Sequence, residues 1–268
     1  MKIPCYQIDA FTSTVFRGNP AAVCLLDAWL ADATLQNIAA ENNLSETAFV
    51  VPRGGEFDLR WFTPTLEMDL CGHATLAAAF VLFTEQNASG DVIRFQSRSG
   101  VLTVTRAGEM FTLDFPSRPA IRCPEPEELL RGLGSKPAMV LKSRDFLAVF
   151  ETEAEVRELR PDFAALKNLE CLGIIATAPG DRCDFVSRFF APAAGVDEDP
   201  VTGSAHCTLI PYWSARLGKS KLSARQISRR GGELFCELTG DRVLIGGKAV
   251  LYLRGEIVLH NATTVSKI

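Results

Sequence analysis

The chain has 268 residues, of which 47% are hydrophobic and 22% charged; 28 bases against 32 acids give a net charge of −4. This balance excludes an intrinsically disordered chain, and bases scattered along the whole length argue against nucleic acid or an anionic membrane as a partner. The length accommodates one large domain or two of about 130 residues.

In chain order, residues 3–10 and 21–26 read as strands, with Arg17-Gly18-Asn19-Pro20 as the turn between them. Asp32 is the expected N-cap of a helix through about Glu41, carrying Leu35, Ile38 and Ala39 at helical spacing and ended by Asn42-Asn43. A β-branched and aromatic run over 45–51 turns at Arg53-Gly54-Gly55-Glu56 into a strand over 57–62. A loop then leads to the apolar segment 72–83, which has almost no polar face, so as a helix it must be surrounded on all sides. Flanking strands over 92–95, 100–105 and 110–115 suit a curved sheet wrapped around that helix, and 116–126 reads as a linker.

The second half contains a short helix over 126–132, strands within 138–150 and one charged amphipathic helix over 152–166. Strands over 172–178 and 183–190 follow, then a helix over 202–217. Strands over 227–238, 242–245 and 248–258 close the sheet. This plan repeats the first half. Arg60-Trp61-Phe62-Thr63-Pro64 returns as Arg188-Phe189-Phe190-Ala191-Pro192, Gly72-His73-Ala74 as Gly203-Ser204-Ala205, and Ser97-Arg98-Ser99-Gly100 as Ser228-Arg229-Arg230-Gly231. The last two matches share one offset, about half the chain, which is far too long for a solenoid repeat. The expectation is an α/β (α+β) protein of two similar domains from an internal duplication, each a mostly antiparallel sheet rolled around a central helix.

The start MKIPCYQIDAF lacks a basic segment followed by an apolar one, so no signal peptide is expected. None of the eight cysteines forms a C-x-x-C, and most stand among apolar neighbours, as buried thiols in a reducing cytoplasm do. Cys71-Gly72-His73 and His206-Cys207 bring ligand-type residues near the two helix starts, but neither has the spacing of a structural zinc site; no metal is expected.

A helix start offers free backbone N–H groups and partial positive charge, which suit a carboxylate or a developing oxyanion. Glycines there, Gly72 and Gly203, admit a ligand to the backbone, although close packing of helix on strand explains them equally well. Glu198-Asp199-Pro200-Val201-Thr202 places acids just before the second helix, where Asp199 or Thr202 can also serve as an N-cap. His73 alone reads equally as a core histidine, and Glu46 alone as an exposed acid at a strand start. Together the three are notable because all lie at chain reversals.

The blocks SETAFV (45–50), CGHATLAAAFVL (71–82) and GVDEDPVTGSAH (195–206), with the opening QIDAFTSTVFRGNPAAVCLL (7–26), resemble the PhzF family, the phenazine-biosynthesis-like proteins of the diaminopimelate epimerase superfamily. The resemblance runs through both halves. It implies paired barrel-like domains, 1–116 with 257–268 returning to it and 117–256, with a cleft between them. It also implies a cofactor-free homodimer and carbon-to-carbon proton transfer on a small cyclic or unsaturated carboxylic acid. Glu46 matches the family's catalytic glutamate, His73 and Asp199 match its partners, and Gly72, Gly203 and Ser204 match the positions that hold the substrate carboxylate.

Independently of the resemblance, carbon-to-carbon proton transfer needs one group that both takes and returns the proton, and fixed donors for the intermediate charge. Racemases and epimerases of the wider superfamily use two facing cysteines. Here Cys71 occupies the first position and Ser204 the second, which argues against that chemistry. The rival readings are a Cys71-dependent racemase or epimerase and a non-catalytic protein that binds a small acid.

Overall fold

The computed structural model describes residues 1–260, and the chain divides into two compact units. Among the described residues, the first unit comprises Met1–Asp114 and residues 246–260; the second is Phe115–Ile245.

In the first unit, β1 (Lys2–Ala10) pairs antiparallel with β2 (Asn19–Leu25), and the chain crosses over through α1 (Asp32–Asn42) to β3 (Glu46–Arg53), parallel to β2. The Gly54-Gly55 turn returns it as β4 (Glu56–Phe62), antiparallel to β3. After the short β5 (Glu67–Met68), a second crossover through α2 (Gly72–Thr84) delivers β6 (Val92–Ser97) parallel to β4. β7 (Gly100–Ala107) and β8 (Met110–Pro116) continue antiparallel. Every residue of α2 except Phe80 and Thr84 is buried, because β1, β2, β3 and β7 pack around it. The absence of a polar face predicted that enclosure.

The second unit repeats the plan. β9 (Ile121–Arg122) and β10 (Met139–Lys142) flank α3 (Glu127–Leu133), and β10 pairs antiparallel with β11 (Phe146–Val149). A connection through α4 (Glu153–Glu158) and α5 (Phe163–Leu166) leads to β12 (Ile174–Pro179), parallel to β11. β13 (Phe185–Ala191) is antiparallel to β12 and is joined by β14 (Val196–Asp199). The crossover α6 (Gly203–Leu217) then delivers β15 (Lys221–Gln226) parallel to β13, followed by β16 (Gly232–Thr239) and β17 (Arg242–Gly247).

The duplication extends to side chains. Arg60 on β4 forks onto Glu67 at 2.6 and 2.8 Å and lies over the Phe62 ring; Arg188 on β13 forks onto Glu198 at 2.7 and 2.9 Å and lies over the Phe190 ring. Each pair ties the strand before a central helix to the short strand leading into it. Pro211 inside α6 lacks the N–H that would reach the Cys207 carbonyl, and the backbone N–H of Arg118 takes that carbonyl at 2.8 Å instead.

The structure departs from the sequence reading in several places: the short strands β5, β9 and β14 lie where loops or a linker were expected, and the strand expected over 227–238 begins only at Gly232. The single helix expected over 152–166 is two, because Pro161 cannot continue the first and restricts the residue before it. Asp32 is the first residue of α1 rather than its N-cap, which is Ala31; its carboxylate instead accepts from Arg60 at 2.9 Å. β15 went unread because Leu222, Ala224 and Gln226 are a weak apolar stripe, although all three are buried. Finally, β18 (Ala249–Val258) does not close the second sheet: it pairs with β1 from Lys2↔Val258 to Ala10↔Ala249. The return to the first unit therefore begins near Gly246 rather than at 257. The Gly246-Gly247 pair read as an ordinary turn. Gly247 in fact lies against Phe11, whose Cδ1 would meet an added Cβ at 2.4 Å. Of the expected returning segment, residues 261–268 lie outside the described residues. No helix among the described residues is long and apolar enough to cross a membrane.

Candidate active site

Four side chains of the first unit meet at the start of α2. Parallel pairing of β2 with β3 sets Ala21 opposite Glu46, so Asn19 at the head of β2 and Glu46 at the head of β3 come up on adjacent strands. Cys71 is the N-cap residue of α2, Gly72 its first residue and His73 its second. His73 Nε2 lies 3.0 Å from Glu46 Oε2, an ion-pair distance, with the two groups out of line for a hydrogen bond. On the other edge of the ring, Nδ1 lies 3.1 Å from Asn19 Nδ2 and 3.5 Å from Cys71 Sγ. His73 and Asn19 are buried, and the Glu46 side chain is only 14% exposed.

Burial works against a charged His73, but its partners Cys71 and the Glu46 carboxylate outweigh it and hold its pKa well above the ordinary histidine value. The Asn19 amide suits either protonation state: its N–H donates to Nδ1 of a neutral ring, and, turned over, its oxygen accepts from an imidazolium. Burial, reinforced by the Glu46 charge, raises the Cys71 pKa, the opposite of what a thiolate nucleophile requires.

Glu46, Cys71 and His73 are the one cluster of three metal-ligand side chains among the described residues, their donor atoms within 4.8 Å of one another. The carboxylate faces Nε2 and the thiol faces Nδ1, on opposite edges of the ring, so one ion could not draw on both through the same imidazole nitrogen.

The second unit assembles Asp199, Gly203 and Ser204 at the start of α6. Asp199 ends β14; the hydroxyl of Thr202, the N-cap residue, donates to Asp199 Oδ2 at 2.5 Å. Gln226 on β15 braces the turn, accepting from the Thr202 N–H at 2.8 Å and donating to the Asp199 carbonyl at 2.7 Å. Neither Cys71 nor Thr202 makes a side-chain capping bond to its own helix, so backbone donors in the first turns of both helices are left for other acceptors. Arg144, in the turn between β10 and β11, grips the buried Asp145 at 2.7 Å and donates to Ser204 Oγ at 3.2 Å, adding positive charge there. His206, one turn into α6, is fully buried; burial lowers its pKa to about 4, and its Nδ1 sits 2.8 Å from the Thr202 carbonyl.

Sequence reasoning missed Asn19, Arg144 and Gln226. Asn19 was read as part of a turn, although an asparagine held between a left-handed glycine and a strand proline has little freedom to face elsewhere. Arg144 carries no local signal, because only tertiary pairing brings its turn to α6.

The phenazine biosynthesis-like family model, PhzC-PhzF, matches residues 8–255. A Pseudomonas aeruginosa protein described as an uncharacterized isomerase is 54% identical over 97% of this chain and 100% of its own length. A crystal structure of a PhzF-family protein from Enterococcus faecalis superposes with a TM-score of 0.94 at 51% identity, covering 97% of this chain and 100% of the other. A probable proline racemase from Agrobacterium radiobacter, at 11% identity and a TM-score of 0.66 over 96% and 93% of the two chains, shares the fold. The chain belongs to the PhzC-PhzF, phenazine biosynthesis-like family.

Proposed function

We propose that this protein is an isomerase that moves a proton between two carbons of a small cyclic or unsaturated carboxylic acid, with Glu46 as the general acid and base. The observation that carries the proposal is the pairing of a nearly buried carboxylate with a buried imidazole at the start of an apolar helix. Glu46 Oε2 is buried and faces His73 Nε2 at 3.0 Å, so the imidazole holds the carboxylate in place at the start of α2. In the reaction the carboxylate takes a proton from one carbon, the electron pair left behind delocalises toward the acid group, and the same carboxyl returns the proton to another carbon. No electrons are gained or lost.

His73 faces the ionised Glu46 before the first step and after the second, and its raised pKa makes it a competent donor to the negative charge that builds on the substrate between them. In the first unit the backbone at Gly72 is the position for an acid group of the substrate; in the second unit Asp199 and the backbone at Gly203 and Ser204 are positions for polar groups, with Arg144 favouring an anion at Ser204. Isomerases named among the relatives support this reading, as does Ser204 standing where a two-cysteine racemase would carry its second thiol.

The test is isomerisation of a panel of small cyclic and unsaturated carboxylic acids, followed by NMR of the products. Glu46→Gln, which keeps the shape and removes the base, is expected to lower turnover by roughly 10²–10⁴-fold. Full turnover by the variant would defeat the assignment.

A further inference from the structure

Cys5 and Cys24 sit directly opposite each other in the antiparallel β1–β2 pair, with their sulfurs 3.7 Å apart. Directly opposed residues of such a pair have Cα separations of about 4.5–5.5 Å, inside the range a disulfide spans, and side chains on one face of the sheet. Bringing 3.7 Å to the bond length of about 2.05 Å therefore needs side-chain rotation rather than backbone movement. On the other side of β1, Cys5 is paired with Gly255, an exposed residue beside which an added Cβ would find nothing nearer than Leu253 Cδ2 at 3.8 Å. That missing side chain leaves a way in for a small oxidant to Cys5, which is 9% exposed, whereas Cys24 is 0% exposed.

We propose that Cys5 and Cys24 are a modification site that closes to an intramolecular disulfide when hydrogen peroxide reaches β1. The Cys5 sulfur attacks one peroxide oxygen, the O–O bond breaks, and water leaves with Cys5 as a sulfenic acid. Cys24 then attacks the Cys5 sulfur, the S–O bond breaks and a second water leaves. Two thiols are oxidised, one peroxide is reduced, and a sulfur–sulfur bond joins the strands. The Cys24 S–H donates to Cys5 Sγ, which lowers the Cys5 pKa and makes Cys5 the sulfur that reacts first. Neither residue belongs to the site built around Glu46 and His73.

The experiment treats the native protein with hydrogen peroxide, then denatures and alkylates it with iodoacetamide for mass spectrometry. The reduced chain has eight cysteines to alkylate. The oxidised chain is expected to take up two fewer groups and to yield, after trypsin, residues 3–17 joined to 18–53, each peptide carrying one cysteine; dithiothreitol should restore full alkylation. Cys24→Ala should give no such link. Unchanged alkylation after peroxide, a link between other cysteines, or Cys5 driven to sulfinic acid without a link would overturn the proposal.

Discussion

Lowering the pH from 7 to 4 should destabilise the second unit through a single side chain. His206 is fully buried beneath α6, with Phe185 5.8 Å away between ring centroids and no carboxylate beside it. Burial lowers its pKa from 6.5 to about 4. In the unfolded chain the imidazole takes up its proton as the pH falls through 6.5, while the folded chain resists until about pH 4. The unfolded state therefore binds more protons throughout that window, and stability falls with pH. Integrated down to pH 4, the difference costs about 3 kcal/mol. His206→Asn keeps a donor for the Thr202 carbonyl, bonded at 2.8 Å in the wild type, but cannot titrate. Urea unfolding of both proteins at pH 7 and pH 4 isolates the effect, because other titrating groups cancel in the difference. The wild type should lose about 3 kcal/mol more than the variant; parallel losses would refute the buried, unpaired histidine.

Glu46→Gln should lower the pKa of His73, read from its imidazole resonances by NMR, because one of the charges that hold it up is gone; an unchanged titration would contradict the pairing. The same raised pKa makes the His73 contribution to stability fully present below pH 6.5 and lost as pH rises through the folded value. Gly18→Ala should cost about 1–3 kcal/mol in urea unfolding. Gly18 has φ +65° and an added Cβ would lie 2.1 Å from the Ala10 carbonyl oxygen, so the change should also disturb the His73 resonances through Asn19. Ala78→Leu, at a fully buried position of α2, should lose about 1–3 kcal/mol by overpacking, and a neutral effect would mean the helix is less tightly surrounded than described.

The duplication was legible because it rests on residues with a physical job. Arg60 and Arg188 each fix a strand to the approach of a central helix, and α2 announces its burial by having no polar face. What escaped the sequence were partnerships made by tertiary pairing. Asn19 reaches His73 only because α2 packs against β2, and Arg144 reaches Ser204 only once β10 and β11 lie in the same unit as α6. β18 escaped for a similar reason: after a Gly-Gly turn, local alternation cannot tell which sheet a strand joins, and pairing with β1 decides it. Glu46 and His73 stood out through the resemblance of their blocks, since each alone has an ordinary structural reading.

The most direct test of proton transfer by Glu46 is solvent deuterium incorporation, measured by mass spectrometry, into a panel of small cyclic and unsaturated carboxylic acids with wild type and Glu46→Gln side by side. Carbon-bound label entering one acid with wild type and not with the variant is the predicted result. Label entering equally with both proteins would contradict the role assigned to Glu46.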